Sequence, residues 1–151
     1  MTITWIQWSS EIWYNNLMIP CSCNVRNELN GKRGMDEVVR TMPNGQPYMP
    51  RIFPKGVWEV GFPIPRYSRE LAPYFIPTTA WQEVPIWNTK LGSYVSPSDI
   101  MDKDTAYGIH YSEFMNTLGC IKVRNQPDLV ELVKAIKACY QRKEKVYLHV
   151  T

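Results

Sequence analysis

Apolar and polar positions repeat most regularly in the last third of the chain. Leu129, Val130, Leu132, Val133, Ile136, Cys139 and Tyr140 recur at steps of three and four, the spacing of one face of an α-helix. Asn125 or Gln126 can cap its start. Pro127 suits a first turn, where a backbone donor is spare, and Asp128 meets the positive end of the helix dipole. Arg142, Lys143 and Lys145 follow the other end, and Cys139, on the apolar stripe, is read as core. Val146, Leu148 and Val150 then alternate with Tyr147 and His149, which predicts a closing strand. Ahead of the helix, Tyr107–His110 and Gly119–Val123 predict two further strands. Further upstream Val57-Trp58-Glu59-Val60 predicts a strand with Val57 and Glu59 on one face, launched by Phe53-Pro54-Lys55-Gly56. Trp81–Trp87 and Ser93–Val95 are shorter strand candidates, Thr2–Trp8 alternates loosely as a strand would, and Asn30-Gly31 marks a turn.

Composition narrows the class. A chain of 151 residues, 44% hydrophobic and 13% aromatic, fits one domain with one core and lacks the low hydrophobicity of a disordered chain. Ten of the twelve prolines fall within residues 42–97. Each removes a backbone donor and resists helix, so that zone is expected to hold short strands and irregular connections. The expected fold is therefore α+β and β-dominated: one domain over residues 1–151, a mixed or antiparallel sheet or small barrel, one C-terminal helix and a closing strand. No run approaches the ~20 apolar residues of a membrane span. Met1–Trp5 has no basic stretch ahead of an apolar run, so no secretory signal is expected and synthesis is placed in the cytoplasm. The net charge of +3 is too small and too scattered to argue for nucleic acid. Residues 122–145 carry a local surplus of four positive charges, which a solvated helix face explains as well as an anionic partner does. Cys21-Ser22-Cys23 would make half of a metal site, but no second closely spaced pair completes it. No metal and no cofactor are expected.

One pair of residues can do chemistry. A cysteine nucleophile needs a base for its proton and surroundings that favour thiolate. His110 ends one predicted strand and Cys120 begins the next, so sheet neighbours would bring them together. Gly119 allows a substrate carbonyl to approach the backbone, and the Cys120 N–H can then stabilise an oxyanion. Lys122 and Arg124 add positive charge that favours thiolate and can hold a substrate carboxylate. Against this stands a plain reading in which Cys120 is a small buried thiol and His110 hydrogen-bonded scaffold. Trp81 and Trp87, with Trp58, are candidates to line a groove for sugar or peptide. The competing reading is that they fill gaps between twisted sheets.

Tyr107-Gly108-Ile109-His110 followed by Thr117-Leu118-Gly119-Cys120-Ile121-Lys122-Val123 resembles the end of the L,D-transpeptidase catalytic domain, with its G-x-H strand and [S/T]-H-G-C signature. Phe53–Val60 is similar to that family's P-x-G-aromatic-x-[IV] strand, and the helix and closing strand follow in the same order. The resemblance spans residues 44–151, leaving 1–43 as an N-terminal strand and turn region of the same domain. Two positions depart from the pattern: Leu118 replaces the signature histidine, and the interval between His110 and Cys120 is short.

The resemblance implies an L,D-transpeptidase-like fold and a cysteine enzyme acting on peptidoglycan stem peptides through a thioester, by hydrolysis or transpeptidation. In that reading Cys120 is the nucleophile, His110 the general base, and Gly119 part of the oxyanion environment. Tyr111, with Ser112 next, takes the place of the residue whose backbone orients the histidine. The partner is then peptidoglycan or its stem peptides, or other virion proteins if the chain belongs to a phage, and the place of action is the cell wall or a virion. The alternative, favoured by Leu118, is a structural or binding module that keeps the fold without turnover.

Overall fold

The computed structural model describes residues 1–23, 40–41, 47–48, 52–68, 72–85, 87–88, 93–94, 101–112 and 119–151. In chain order its strands are β1 (Thr2–Ile6), β2 (Glu11–Tyr14), β3 (Leu17–Ser22), β4 (Arg40–Thr41), β5 (Pro47–Tyr48), β6 (Gly56–Glu59), β7 (Ile64–Pro65) and β8 (Tyr74–Pro77). They continue as β9 (Gln82–Pro85), β10 (Trp87–Asn88), β11 (Ser93–Tyr94), β12 (Met101–Asp104), β13 (Gly108–Tyr111) and β14 (Ile121–Val123). Helix α1 (Gln126–Gln141) and strand β15 (Tyr147–Val150) close the chain. The fold is thus α+β and β-dominated.

Nine strands form one curled, mixed sheet in the order β6-β15-β1-β2-β3-β14-β13-β8-β7. Among the described strands only β1 with β15 and β13 with β14 run parallel. The curl brings the two halves of the sheet together just past β6 and β8. There Gly61 N–H donates to Pro77 O at 2.8 Å and Thr79 N–H to Glu59 O at 2.9 Å. Two-stranded ribbons β9–β12, β10–β11 and β4–β5 stand outside this sheet.

The period of two decides which residues enter the core. Ile3, Trp5, Ile12, Ile19, Cys21, Ile109, Ile121, Val123, Leu148 and Val150 all face one side, against Leu129, Leu132, Val133, Ile136 and Cys139 of α1. Asn125 caps the helix by accepting from Asp128 N–H at 2.9 Å, and its own amide donates to the Asp128 carboxylate. Tyr140, on the last turn, donates its hydroxyl to Val60 O at 2.7 Å and so ties α1 to the closing side of the curl. The other face of the sheet carries a lateral row, Val57, His149, Thr4, Trp13 and Met18, in register across five strands. Val57, Trp13 and Met18 are exposed there.

β1 is shorter than the alternation of Thr2–Trp8 predicts. It stops at Ile6 because residues 7–10 turn, with Ser10 at φ +57° and its N–H donating to Gln7 O at 3.3 Å. Trp58 is a gap filler: half-buried against the core, it donates its indole N–H to Pro54 O at 3.0 Å. The Asn30-Gly31 turn lies outside the described residues. No helix among the described residues is long and apolar enough to cross a membrane.

Cys21 makes a prediction about alkaline stability. Burial pushes its thiol well above the ordinary range, against weaker lowering effects from the Ile12 backbone and Arg124. Below about pH 8.5 the thiol is protonated in both folded and unfolded chains and the difference is silent. Above that, the unfolded chain ionises while the folded thiol stays protonated, so stability falls as pH rises, by up to about 1.4 kcal/mol per pH unit. Urea unfolding between pH 7 and about pH 10.5 is expected to show this slope, and Cys21→Ala to reduce it. An identical slope in the variant would refute the assignment.

Candidate active site

β13 and β14 are short, parallel and adjacent, with Ile109 opposite Ile121 and His110 opposite Lys122. Ile109 and Ile121 enter the core, so alternation turns His110 and Lys122 to the other face of the sheet. Cys120 stands one residue ahead of β14 and two before Lys122, on that same face by alternation. The register extended by one residue sets Cys120 beside Gly108 and diagonally from His110. The order strand, loop, strand thus carries two residues that are ten positions apart in sequence onto one face of a parallel pair.

The imidazole is held on two sides. Its Nδ1 is 3.0 Å from Tyr111 O. A carbonyl can only accept, so this contact places the proton on Nδ1 and leaves Nε2 as the basic nitrogen of the neutral ring. The Phe75 ring of β8, directly across the sheet from His110, tilts beside the imidazole with centroids 6.2 Å apart. Phe75 also lies over Gly108, which has no side chain to oppose it. His110 and Ser112 are both buried.

The thiol has a defined neighbourhood too. Cys120 Sγ lies 3.7 Å from Ala106 O, at the foot of β13, and is half-buried. Ala106 adopts φ +66°, a left-handed conformation seldom taken by a residue with a Cβ. Such outliers persist only where the surroundings hold them, and they gather at functional sites. Gly119 adopts φ +113°, where any side chain would be strained, so glycine is what lets the chain turn into Cys120.

Of the basic residues, Lys122 lies on this face and Arg124 follows the end of β14. Lys122 sits laterally beside His110, and its ammonium is held below the ordinary lysine range, first by partial burial and then by Arg124. Arg124 is exposed, and its backbone N–H donates to Pro20 O at 3.4 Å. Trp81 is exposed, with the Lys103 ammonium 4.7 Å from its ring centroid. It precedes β9, whose register with β12 sets Gln82 opposite Asp104. Trp81 therefore lies at the base of the ribbon that leads, through Ala106, into the site. Trp87 is on β10, and its side chain lies outside the described residues, as does Leu118.

Two neighbours of the site carried no signal read from the sequence. Phe75 was one apolar residue among many in the proline-rich zone. Cys23 stood in a pair without evident purpose, yet its thiol donates to Gly119 O at 3.1 Å. Only the pairing of β3 with β14, Ser22 opposite Lys122, brings it there. Among the described residues no group of three or more His, Cys, Asp or Glu is arranged to hold a metal ion. No protein-family model matches the chain, and no curated protein or solved structure shows a significant match to it.

Proposed function

We propose that this protein is a cysteine enzyme that acts on peptidoglycan stem peptides through a thioester, as its resemblance to the L,D-transpeptidases implies. The observation that carries the reading is the shared face of β13 and β14, with His110 fixed through Nδ1 and the Cys120 thiol turned toward the foot of β13. His110 Nε2 takes the proton of Cys120 Sγ, and the thiolate attacks a peptide carbonyl carbon. A carbon–sulfur bond forms, the carbon–nitrogen bond breaks, and the imidazolium returns the proton to the leaving amine. Water or a second amine then attacks the thioester, its proton passes through His110 to the thiolate, and the free thiol is restored. Lys122 on the same face, with Arg124 just past the strand, supplies positive charge for a substrate carboxylate, and the exposed Trp81 offers an aromatic surface.

The alternative, a structural module that retains the fold, is separated by thiol reactivity. An activated Cys120 is expected to alkylate with iodoacetamide at about pH 6.5 at least tenfold faster than glutathione, and His110→Ala to remove that advantage. Labelling at the rate of glutathione in both proteins would favour the module.

A further inference from the structure

We infer that the sheet face around Trp13 binds the sugar strand of peptidoglycan, an inference that rests on the proposed action on stem peptides. Trp13 of β2 is exposed on the face turned away from α1, in the row that runs from Val57 to Met18. Its ring is tethered: the indole N–H donates to Glu11 Oε2 at 2.9 Å, two residues back on the same face. Laterally it stands beside Thr4 of β1, with the exposed His149 of β15 one strand further. A pyranose presents C–H groups on its flat face and hydroxyls around its rim. It therefore asks for one flat aromatic surface bordered by hydrogen-bonding side chains, which Trp13, Glu11, Thr4 and His149 supply. The centre of a protein interface is by contrast depleted of charge, and here a carboxylate lies against the edge of the ring.

The place of this platform fits the candidate site. β3 carries Met18, opposite Trp13, and Ser22 on the same face. Ser22 is opposite Lys122, and Lys122 is opposite His110. Trp13 and His110 thus share one continuous sheet face, with β3 and β14 between their strands. Three strand spacings, with the four-residue offset from Met18 to Ser22, set them about 20 Å apart along the sheet. That is about the reach of an extended stem peptide of about five residues, together with the lactyl group that joins it to the sugar. A sugar seated on Trp13 therefore lets the peptide it bears arrive at His110 and Cys120. Holding the strand there raises the local concentration of stem peptide at the site without any new contact to the peptide itself.

The experiment sets Trp13→Ala against wild type on two substrates, peptide-bearing glycan strands and free stem peptides. KM does not depend on how much of a preparation is folded, so a loss of folded protein does not imitate the effect. Trp13→Ala is expected to raise KM for the strands about tenfold and to change KM for the free peptides less than about twofold. Trp13→Phe, which keeps a flat ring, is expected to stay within about threefold of wild type on the strands. An equal change on both substrates, or none on either, overturns the platform and leaves the proposed function standing. If wild type turns over neither substrate, the proposed function falls. The platform is then upheld if wild type binds peptide-free glycan strands and Trp13→Ala does not, and overturned by equal binding or none. A dimer in sedimentation that Trp13→Ala dissolves assigns this face to a second copy and overturns the glycan platform as well.

Discussion

Cys120→Ala is expected to abolish product release from purified sacculi or stem peptides, with a fall on the order of 10³-fold or more. The size of the effect follows from the chemistry: without Sγ no thioester forms, and His110 alone has no bound nucleophile to activate. The fold should survive, because Cys120 is half-buried and precedes β14, whose core contacts come from Ile121 and Val123. Equal product from wild type and variant, or none from either between about pH 5 and pH 9, would count against a cysteine mechanism. Far-UV circular dichroism of both proteins separates lost chemistry from lost structure.

Gly108→Ala is expected to damage both stability and activity. A Cβ at Gly108 would collide with Phe75 Cζ and stand 2.5 Å from Ile76 O, a backbone atom of β8. The Phe75 ring could swing only by leaving the imidazole it accompanies, and Ile76 O could retreat only if β8 parted from β13. Overpacking of this kind costs about 1–3 kcal/mol, well beyond the ~0.4–1 kcal/mol that a glycine-to-alanine change gains by restricting the unfolded chain. Urea unfolding should show a net loss near the upper end of that range, because backbone rather than a flexible side chain is struck. His110, two residues along the same strand, should move with β13, so activity per folded molecule should also fall. A variant of unchanged stability would mean that β8 and β13 are less closely apposed than described.

Much of this architecture was legible from local chemistry. Asn125, Pro127 and Asp128 marked the start of α1, and the three-and-four spacing of Leu129 to Cys139 marked its buried face. Val146, Leu148 and Val150 named the buried side of the closing segment. These signals are strong because a single element generates them. The hairpin of β2 and β3 rests on an Asn-Asn pair: Asn15 and Asn16 take φ +47° and +61°, the left-handed pair that a tight two-residue turn requires. Its strands look irregular because Trp13, Leu17 and Met18 are apolar yet exposed, which blurs the alternation.

The site divides along the same line. His110 and Cys120 could be paired in sequence because one ends and the other begins a predicted strand, each adjacent to or near a glycine. Phe75 and Cys23 could not, since their places depend on which strands become neighbours. β8 reaches β13 across 30 residues, and β3 reaches β14 across about a hundred. Pairing at that separation depends on the closing of the whole curled sheet and leaves no mark on either segment alone.

The central claim, that Cys120 carries the substrate through a covalent intermediate, is tested most directly by mass spectrometry of the protein quenched in acid during incubation with purified stem peptides. A peptidyl adduct on the fragment that contains Cys120, released by hydroxylamine as a thioester is and absent from Cys120→Ala, is the predicted result. Turnover without an adduct at Cys120, or an adduct that maps to Cys23 instead, would contradict it.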